Sequence, residues 1–425
     1  MQKVLVISHN AFSKSFNNGK TLESIFSVFP RENLAQLFFS NNEFPDYDYC
    51  ENYFKITDYD VLKSVFLLSK PGRIPIQSEF KSYENNQLFC INLLKTHASK
   101  INLLRDLLWK VGKWESKSLY NWIESFKPTM VFYMGGNLGF SHKISITICQ
   151  KYNLPLYVYF TDDYIIYPKY ENLFEYIQKI RAKKFYKKTI SFSKHCFTVN
   201  DYMSTSYSKY FNKDFITIFN GITQKPRFIS IKSNELLTIS YFGGLHLNRW
   251  KMIGKLGRII SSINDQIGKK IVINVYTQST LDKEIKEEFD KSNIILNPPV
   301  FDYNYEVAKF NSSILLHVES DEQFYRSLTK LSFSTKISEY MMTGRCILGF
   351  GPAEVTSMRF LAENDLAITI SSDSSPAEQI AKIKFALKNE EILNNLGLKS
   401  YLYAKNHLSY DKMKNDLKFL FELDN

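Results

Sequence analysis

Twelve short apolar runs punctuate this chain of 425 residues, and helical periodicity fills most of the gaps between them. The first series is Lys3–Ser8, Leu34–Phe39, Met130–Tyr133, Leu156–Phe160, Cys196–Val199 and Ile216–Phe219. The second is Leu237–Phe242, Ile271–Tyr276, Ile294–Leu296, Ile314–His317, Cys346–Phe350 and Leu366–Ile370. Unbroken apolar runs of this length belong to strands covered on both faces. Helical patterns at Phe140–Tyr152, Lys251–Gln266 and Pro376–Leu387 lie between them. Alternation of strand and helix builds parallel sheets with helices on either side. Twelve strands are too many for one ordinary domain, so the pattern predicts an α/β protein with two doubly wound domains.

The break between the two series is expected just after Gly221. Thr223 to Glu235 holds Pro226, several polar residues and little periodicity, as a linker does. The expected organisation is a first domain over residues 1–222, a linker over 223–235 and a second domain over 236–405. A terminal helix follows over 406–425. Residues 68–128 read as a mostly helical insertion, with Leu93, Leu94, Leu107, Leu108 and Trp109 on one face. Two helical patterns, Glu390–Ala404 and Tyr410–Leu423, have no strand after them.

No apolar run approaches the length of a membrane-spanning helix. The chain enters a buried-strand pattern at once, without the features of a signal peptide. Its five cysteines, Cys50, Cys90, Cys149, Cys196 and Cys346, are scattered and never form Cys-x-x-Cys. That spacing argues against a disulfide framework or a zinc site and for a reducing cytoplasm. Charge is unevenly placed: residues 1–221 carry 28 basic and 19 acidic residues, and residues 222–425 carry 26 and 24. Most of the +11 excess therefore lies in the first half. Lys179, Arg181, Lys183, Lys184, Lys187 and Lys188 cluster there, interleaved with Ile177, Ile180, Phe185 and Tyr186. This is a basic amphipathic helix, and either a solvated face or contact with an anionic membrane explains it. No nucleic-acid-binding motif accompanies the charge.

The most specific stretch is Ser334-Thr-Lys-Ile-Ser-Glu-Tyr-Met-Met-Thr-Gly344-Arg-Cys-Ile-Leu-Gly-Phe-Gly351. It reads as a loop, a short helix, a tight turn and a buried strand. Ser334 and Thr335 offer hydroxyls to unpaired N–H groups at the helix start, and Gly344 ends the helix. A helix start beside the carboxylate of Glu339 can hold a diphosphate and two ribose hydroxyls. Lys336 stands in the first turn, where the helix dipole disfavours a cation, and that oddity points to an anionic ligand.

Ser334, Lys336, Glu339, Tyr340, Gly344, Ile347 and Leu348 match the donor-site signature of GT-B glycosyltransferases, with Cys346 in place of the usual Pro. The chain resembles glycosyltransferase family 4-like enzymes in particular. Tyr241-Phe-Gly-Gly-Leu-His-Leu-Asn-Arg249 is similar to the strand and glycine turn that open that family's second domain. Phe197 to Met203 and Ile218 to Ile222 are similar to the passage that closes the first. The resemblance runs from about residue 128 to 351.

It implies a GT-B architecture, two doubly wound domains facing across a cleft, with the last helix crossing back onto the first domain. It implies a nucleotide-diphospho-sugar donor, a UDP- or GDP-sugar, held by Gly19, Gly243, Gly244, Arg249, Ser334, Thr335, Lys336 and Glu339. Arg249 offsets phosphate charge on the leaving group. Asp162 and Asp163 end a buried strand where the family's sugar and acceptor meet, and one of them could orient or deprotonate an acceptor hydroxyl. No tightly bound cofactor and no metal are implied. Acceptors in such enzymes are commonly glycans on polyprenyl diphosphate, and the expected place is the inner membrane face, with Lys183, Lys184, Lys187 and Lys188 in contact with anionic lipid. The expected setting is bacterial capsule, O-antigen or exopolysaccharide synthesis.

The sequence departs from the family in two further places. Counting back from Glu339, the first of the family's two spaced glutamates falls on Leu331, and Glu319, Asp321 and Glu322 lie upstream on a longer loop. The segment Met134 to Asn137 lacks the histidine that some relatives place there. The first departure leaves the retaining outcome common in the family unsecured, and the second leaves no histidine there to act as base. Asn17 to Thr21 looks like the family's glycine loop, while a phosphate-binding loop of the Gly-x-x-x-x-Gly-Lys-Thr kind would require glycine at Lys14. Two other readings stand beside glycosyl transfer: a GT-B sugar-nucleotide epimerase, and a non-catalytic subunit that keeps the fold beside an active partner.

Overall fold

A computed structural model of the protein describes residues 2–13, 17–41, 43–66, 70–75, 98–170, 172–219, 236–292 and 294–423. The expected linker, the Asn220 to Ile222 passage and much of the 68–128 insertion lie outside the described residues. The chain divides into two compact units, Met1–Gly221 with Met413–Asn425, and Ile222–Lys412.

The first unit carries β1 (Val4–Ser8), β2 (Leu34–Phe38), β3 (Asn52–Lys55), β4 (Met130–Gly135), β5 (Leu156–Phe160), β6 (His195–Thr198) and β7 (Ile216–Thr217). They form one sheet in the order β3-β2-β1-β4-β5-β6-β7, and every pairing is parallel. Its helices are α1 (Asn17–Phe26), α2 (Asp58–Val65), α3 (Ala98–Val111), α4 (Lys117–Phe126), α5 (Gly139–Tyr152), α6 (Leu173–Phe192) and α7 (Asp201–Phe211). Strand β3 is the element that the apolar pattern missed. Its sequence, Asn-Tyr-Phe-Lys, has only two apolar residues, yet Tyr53 and Phe54 are both buried.

The second unit carries β8 (Leu236–Phe242), β9 (Lys270–Tyr276), β10 (Ile294–Asn297), β11 (Ile314–Val318), β12 (Cys346–Gly351) and β13 (Ile368–Ser371). The order is β10-β9-β8-β11-β12-β13, again parallel throughout. Its helices are α8 (Arg249–Ile267), α9 (Lys283–Lys291), α10 (Asp302–Asn311), α11 (Gln323–Thr329), α12 (Thr335–Met341), α13 (Thr356–Glu363), α14 (Pro376–Lys388) and α15 (Glu390–His407). Apolar side chains of β8, β9, β11 and β12 meet Met252, Ile253, Leu256 and Ile260 of α8 in one core. Local chemistry sets several helix starts. Ser375 and Glu378 close a reciprocal capping box with Pro376 in the first turn of α14.

The last helix, α16 (Tyr410–Leu420), runs into the first unit. Phe421 is wholly buried there and packs on Phe26, Phe29, Phe132 and Tyr157. Burying one aromatic side chain contributes roughly 1.5–3 kcal/mol, so this single residue anchors the returning segment.

In an open parallel sheet, ligands bind beyond the carboxyl ends of strands where the strand order reverses. In the second unit the reversal falls between β8 and β11. The segments leaving those strands, Gly243 to Asn248 and Glu319 to Glu322, are therefore where a site is to be sought. In the first unit it falls between β1 and β4.

Candidate functional site

The reversal in the second unit brings together side chains from β8, β11, α8 and α12. Tyr241, Arg249, His317, Ser334, Lys336 and Tyr340 line one pocket there. Strand β8 is followed by Gly243, whose φ of +140° suits glycine. A Cβ at Gly243 would collide with Lys336 Nζ, so the missing side chain is what lets that ammonium lie against the turn. The Tyr241 hydroxyl donates to the Gly244 carbonyl at 2.7 Å and braces the same turn.

Leu247 and Asn248 then both take left-handed conformations, with φ of +60° and +55°. For leucine this is a strained conformation of a kind that concentrates at functional sites. The turn delivers Arg249 as the first residue of α8, with no side-chain cap on the helix start. Asn248 is held by donating to both oxygens of Glu322, at 2.9 and 3.0 Å, and Lys251 pairs with the same carboxylate at 2.8 Å.

Arg249 reaches across to Glu319, the residue that follows β11, at 3.2 Å. The Glu319 side chain is 4 % exposed and that of Arg249 15 %. Burial raises the Glu319 carboxyl above its usual range, against the opposing pull of Arg249. His317 lies 3.6 Å from the same carboxylate and hydrogen-bonds Ser357 at 2.9 Å. Burial, with Arg249 and Lys336 nearby, lowers its pKa to about 3, so the imidazole is neutral. Desolvation and the Arg249 charge also lower the Lys336 ammonium to about 8. Two cations thus crowd a pocket in which the nearest buried acid already belongs to one of them.

The short helix α12 starts where the motif predicts and ends in a turn closed by Gly344 at φ +69°. Ser334 is its N-cap residue without a side-chain cap bond, and Thr335 is exposed. Glu339 is half-buried and accepts the Tyr305 hydroxyl of α10 at 2.8 Å. Tyr305 in turn packs edge-on against Phe242 at the end of β8. Gly243, Gly244, Arg249, Lys336 and Glu339 therefore share one end of the second sheet. Tyr305, His317 and Glu319 join them there. The sequence showed Glu319 only as one of three upstream acids, and its place directly after a buried strand was the available signal. Nothing local marked Tyr305 or His317.

Three of the residues expected on the donor or acceptor side lie in the first unit. Gly19 is the third residue of α1 rather than part of a loop, and a Cβ there would strike the Ala11 carbonyl and Ser13. The missing side chain lets α1 pack closely on the segment that leaves β1. Asp162 and Asp163 follow β5, as expected, but their surroundings differ. Asp163 is buried and accepts from the N–H groups of Ile165, Ile166 and Tyr167 at 2.8 to 2.9 Å and from the Tyr207 hydroxyl at 3.0 Å. Its oxygens shape the turn. Asp162 is half-buried, and its charge holds the Tyr164 hydroxyl above the ordinary tyrosine pKa, with burial adding to the effect. A histidine does stand beside the 134–137 segment, supplied by α5. His142 bonds the Gly136 carbonyl and the Thr189 hydroxyl, both at 2.8 Å, and burial lowers its pKa to about 4.

Lys183, Lys184, Lys187 and Lys188 lie on α6. Lys184, Lys187 and Lys188 are exposed, while Lys183 is half-buried with its ammonium 5.0 Å from the centre of the Tyr210 ring. Among the described residues no three His, Cys, Asp or Glu side chains gather as a metal site would need. No helix among them is long and apolar enough to cross a membrane.

No protein-family model matches the chain, and no curated protein matches its sequence. Solved structures do match over the whole length. A crystal structure of TarM superposes with a TM-score of 0.62 at 11% identity, covering 99% of each chain. WaaG, a glycosyltransferase involved in lipopolysaccharide biosynthesis, gives 0.60 at 11% identity, covering 98% of this chain and 99% of its own. A mutant TarM of S. aureus in complex with Fondaparinux, alpha-GlcNAc-glycerol and UDP gives 0.61 at 10% identity, covering 99% and 100%. With its two parallel α/β units, the protein has the GT-B fold of these glycosyltransferases.

Proposed function

We propose that the protein is a glycosyltransferase that moves a sugar from a nucleotide-diphospho-sugar to a hydroxyl of a glycan acceptor. The observation that carries the reading is the pairing of Arg249 and the half-buried Lys336 over the Gly243 turn, at the reversal point of the second sheet. Two cations gathered at a glycine turn suit a ligand with more than one negative charge. A diphosphate has that charge, and the start of α8 adds its dipole.

In this reading Glu339, held by Tyr305, takes the ribose hydroxyls. Ser334 and Thr335 line the phosphate side. When the bond from sugar to diphosphate breaks, negative charge grows on the leaving group, and Arg249 and Lys336 stabilise it as it forms. Glu319 keeps the Arg249 guanidinium in place before the donor arrives. The acceptor role in the first unit falls to Asp162, because the oxygens of Asp163 are taken up by the turn. Uridine diphosphate is the first nucleotide to test, since a TarM structure of the same fold holds UDP.

The finer reading is a family 4-like, retaining enzyme of bacterial surface polysaccharide synthesis. Its acceptor is carried on polyprenyl diphosphate, and Lys183, Lys184, Lys187 and Lys188 meet an anionic membrane. The motif residues and the basic helix support this.

The test is a thermal-shift screen of UDP, GDP, ADP and their sugars against the wild type, Lys336→Ala and Glu339→Ala. The expected result is stabilisation by one diphosphate class in the wild type, reduced in both variants, together with release of that diphosphate from its sugar. Equal stabilisation of all three proteins, or of none, would remove the donor site from this pocket.

A further inference from the structure

The acids that follow β11 all turn to the start of α8. Glu319 pairs with Arg249 at 3.2 Å, and Asp321 with Lys255 at 4.0 Å. Glu322 accepts from Asn248 through both of its oxygens, at 2.9 and 3.0 Å, and from Lys251 at 2.8 Å. The Lys251 bond holds the Glu322 carboxyl below the usual carboxylate range, so both oxygens stay acceptors at neutral pH.

In the contact between Glu322 and Asn248 each residue gives up another bond. Asn248 is the N-cap residue of α8 and Glu322 that of α11, and neither side chain caps its own helix. Asparagine is among the best N-cap residues, but it caps from an extended backbone, with its oxygen on an N–H two or three residues further on. Asn248 has φ +55° and ψ +25°, which is left-handed, and it follows Leu247 at φ +60°. Asparagine tolerates that conformation, and leucine is strained by it. The first half of the turn is fixed separately. There the Tyr241 hydroxyl donates to the Gly244 carbonyl at 2.7 Å, and the Leu245 N–H to the Ser279 hydroxyl at 2.9 Å. The strained half is the one that Glu322 grips.

We propose that Glu322 is a positioning residue for the donor site: by holding the Asn248 amide it keeps Leu247 and Asn248 left-handed and so keeps Arg249 directed at the pocket. This rests on the donor site proposed above and assigns what sets its shape. Without Glu322 the turn has a second state. Asn248 relaxes to the extended N-cap conformation, Leu247 leaves the left-handed region, and the Asn248 oxygen closes the start of α8. The backbone then hands Arg249 on in a new direction. The binding-competent turn becomes the minor state, and the apparent affinity for a diphosphate falls by its share of the population. A cap of ordinary strength favours the closed state by about tenfold. Glu322 acts through Asn248 and not on the phosphates.

The experiment is calorimetry of the full chain with UDP and with GDP, beside thermal melting. The wild type is expected to bind one of them. Glu322→Ala is expected to bind it about tenfold more weakly, with the melting temperature nearly unchanged because the new cap offsets the lost bonds. Glu322→Ala/Asn248→Gly separates positioning from support. Glycine takes a positive φ freely and carries no oxygen to close the helix start, so it is expected to restore most of the affinity. A Glu322→Ala variant that binds as the wild type does overturns the positioning role and leaves the donor site standing. A loss of affinity that glycine does not restore overturns it as well and assigns Glu322 to the stability of α8. A wild type that binds neither nucleotide overturns the donor site and this role together.

Discussion

Replacing Arg249 by alanine should destabilise the protein in a way that depends on pH, because the change strands Glu319. The pair sits 3.2 Å apart with side chains 15 % and 4 % exposed. Deleting one partner of a buried pair costs about 3–5 kcal/mol when the other stays charged. His317 does not compensate, because it is neutral. The carboxyl has an escape, which is to fold protonated. Protonating a carboxyl whose ordinary pKa is 4.5 costs about 1.4 kcal/mol for each pH unit above that value. That route limits the loss to about 3.4 kcal/mol at neutral pH and about 1.4 kcal/mol at about pH 5.5.

The sign follows from burial. The folded pKa of Glu319 is raised, so its contribution is fully present below the unfolded value and is lost as pH rises through the folded one. Arg249→Ala raises the folded pKa further and enlarges the loss at neutral pH. Arg249→Ala/Glu319→Gln should recover most of the stability at neutral pH while still binding nucleotide poorly. Urea unfolding at both pH values measures the loss, with amide exchange along Ile314–Val318 reporting on the second unit. An equal loss at both pH values, or no recovery in the double variant, would refute the argument that a stranded carboxylate is the cause.

Three other predictions follow from the same geometry. Lys336 has its ammonium lowered to about 8, and a bound diphosphate favours the charged form. Nucleotide affinity should therefore be flat below that pH and fall about tenfold per unit above it, and calorimetry across that range should show the slope vanish in Lys336→Met. Glu339→Ala should weaken nucleotide binding by about 1–3 kcal/mol, and Tyr305→Phe by about 1 kcal/mol. Neither should change the affinity for a 2′,3′-dideoxy nucleotide, and a loss there would mean that the pair does not hold the ribose. Asp163→Asn should lower stability by about 1–3 kcal/mol because it disturbs four accepted hydrogen bonds. Asp162→Asn should instead lower transfer with nucleotide affinity and melting temperature nearly intact, and full activity would move the acceptor role elsewhere.

Twelve of the thirteen strands among the described residues, the parallel arrangement and the start and end of α12 were legible in the sequence. They depend on local patterns: apolar runs, helical periodicity, capping residues and glycine at turns. Pro376, Ser375 and Glu378 mark a helix start within four residues, and Gly344 marks a helix end by its own backbone freedom. Gly243, Arg249, Lys336 and Glu339, which the fold gathers at one end of the second sheet, could be singled out for a related reason, since each belongs to a short segment whose form is set locally.

What the local pattern did not carry was the partner of each charged group. Strand β3 escaped because its burial comes from pairing with β2, not from an apolar run of its own. Gly19 looked like a loop glycine until the helix start showed it packed on Ala11. Asp162 and Asp163 are adjacent and alike in sequence, and only the turn at 165–167 and Tyr207 tell them apart. Arg249 and Glu319 are 70 residues apart and meet because the neighbouring strands β8 and β11 end together, while Tyr305 and Glu339, 34 apart, are joined by a hydrogen bond between α10 and α12. Hydrophobic patterning acts over a few residues and so can be read along the chain. Charge pairing and desolvation act through space, and the tertiary structure alone decides which side chains that space contains.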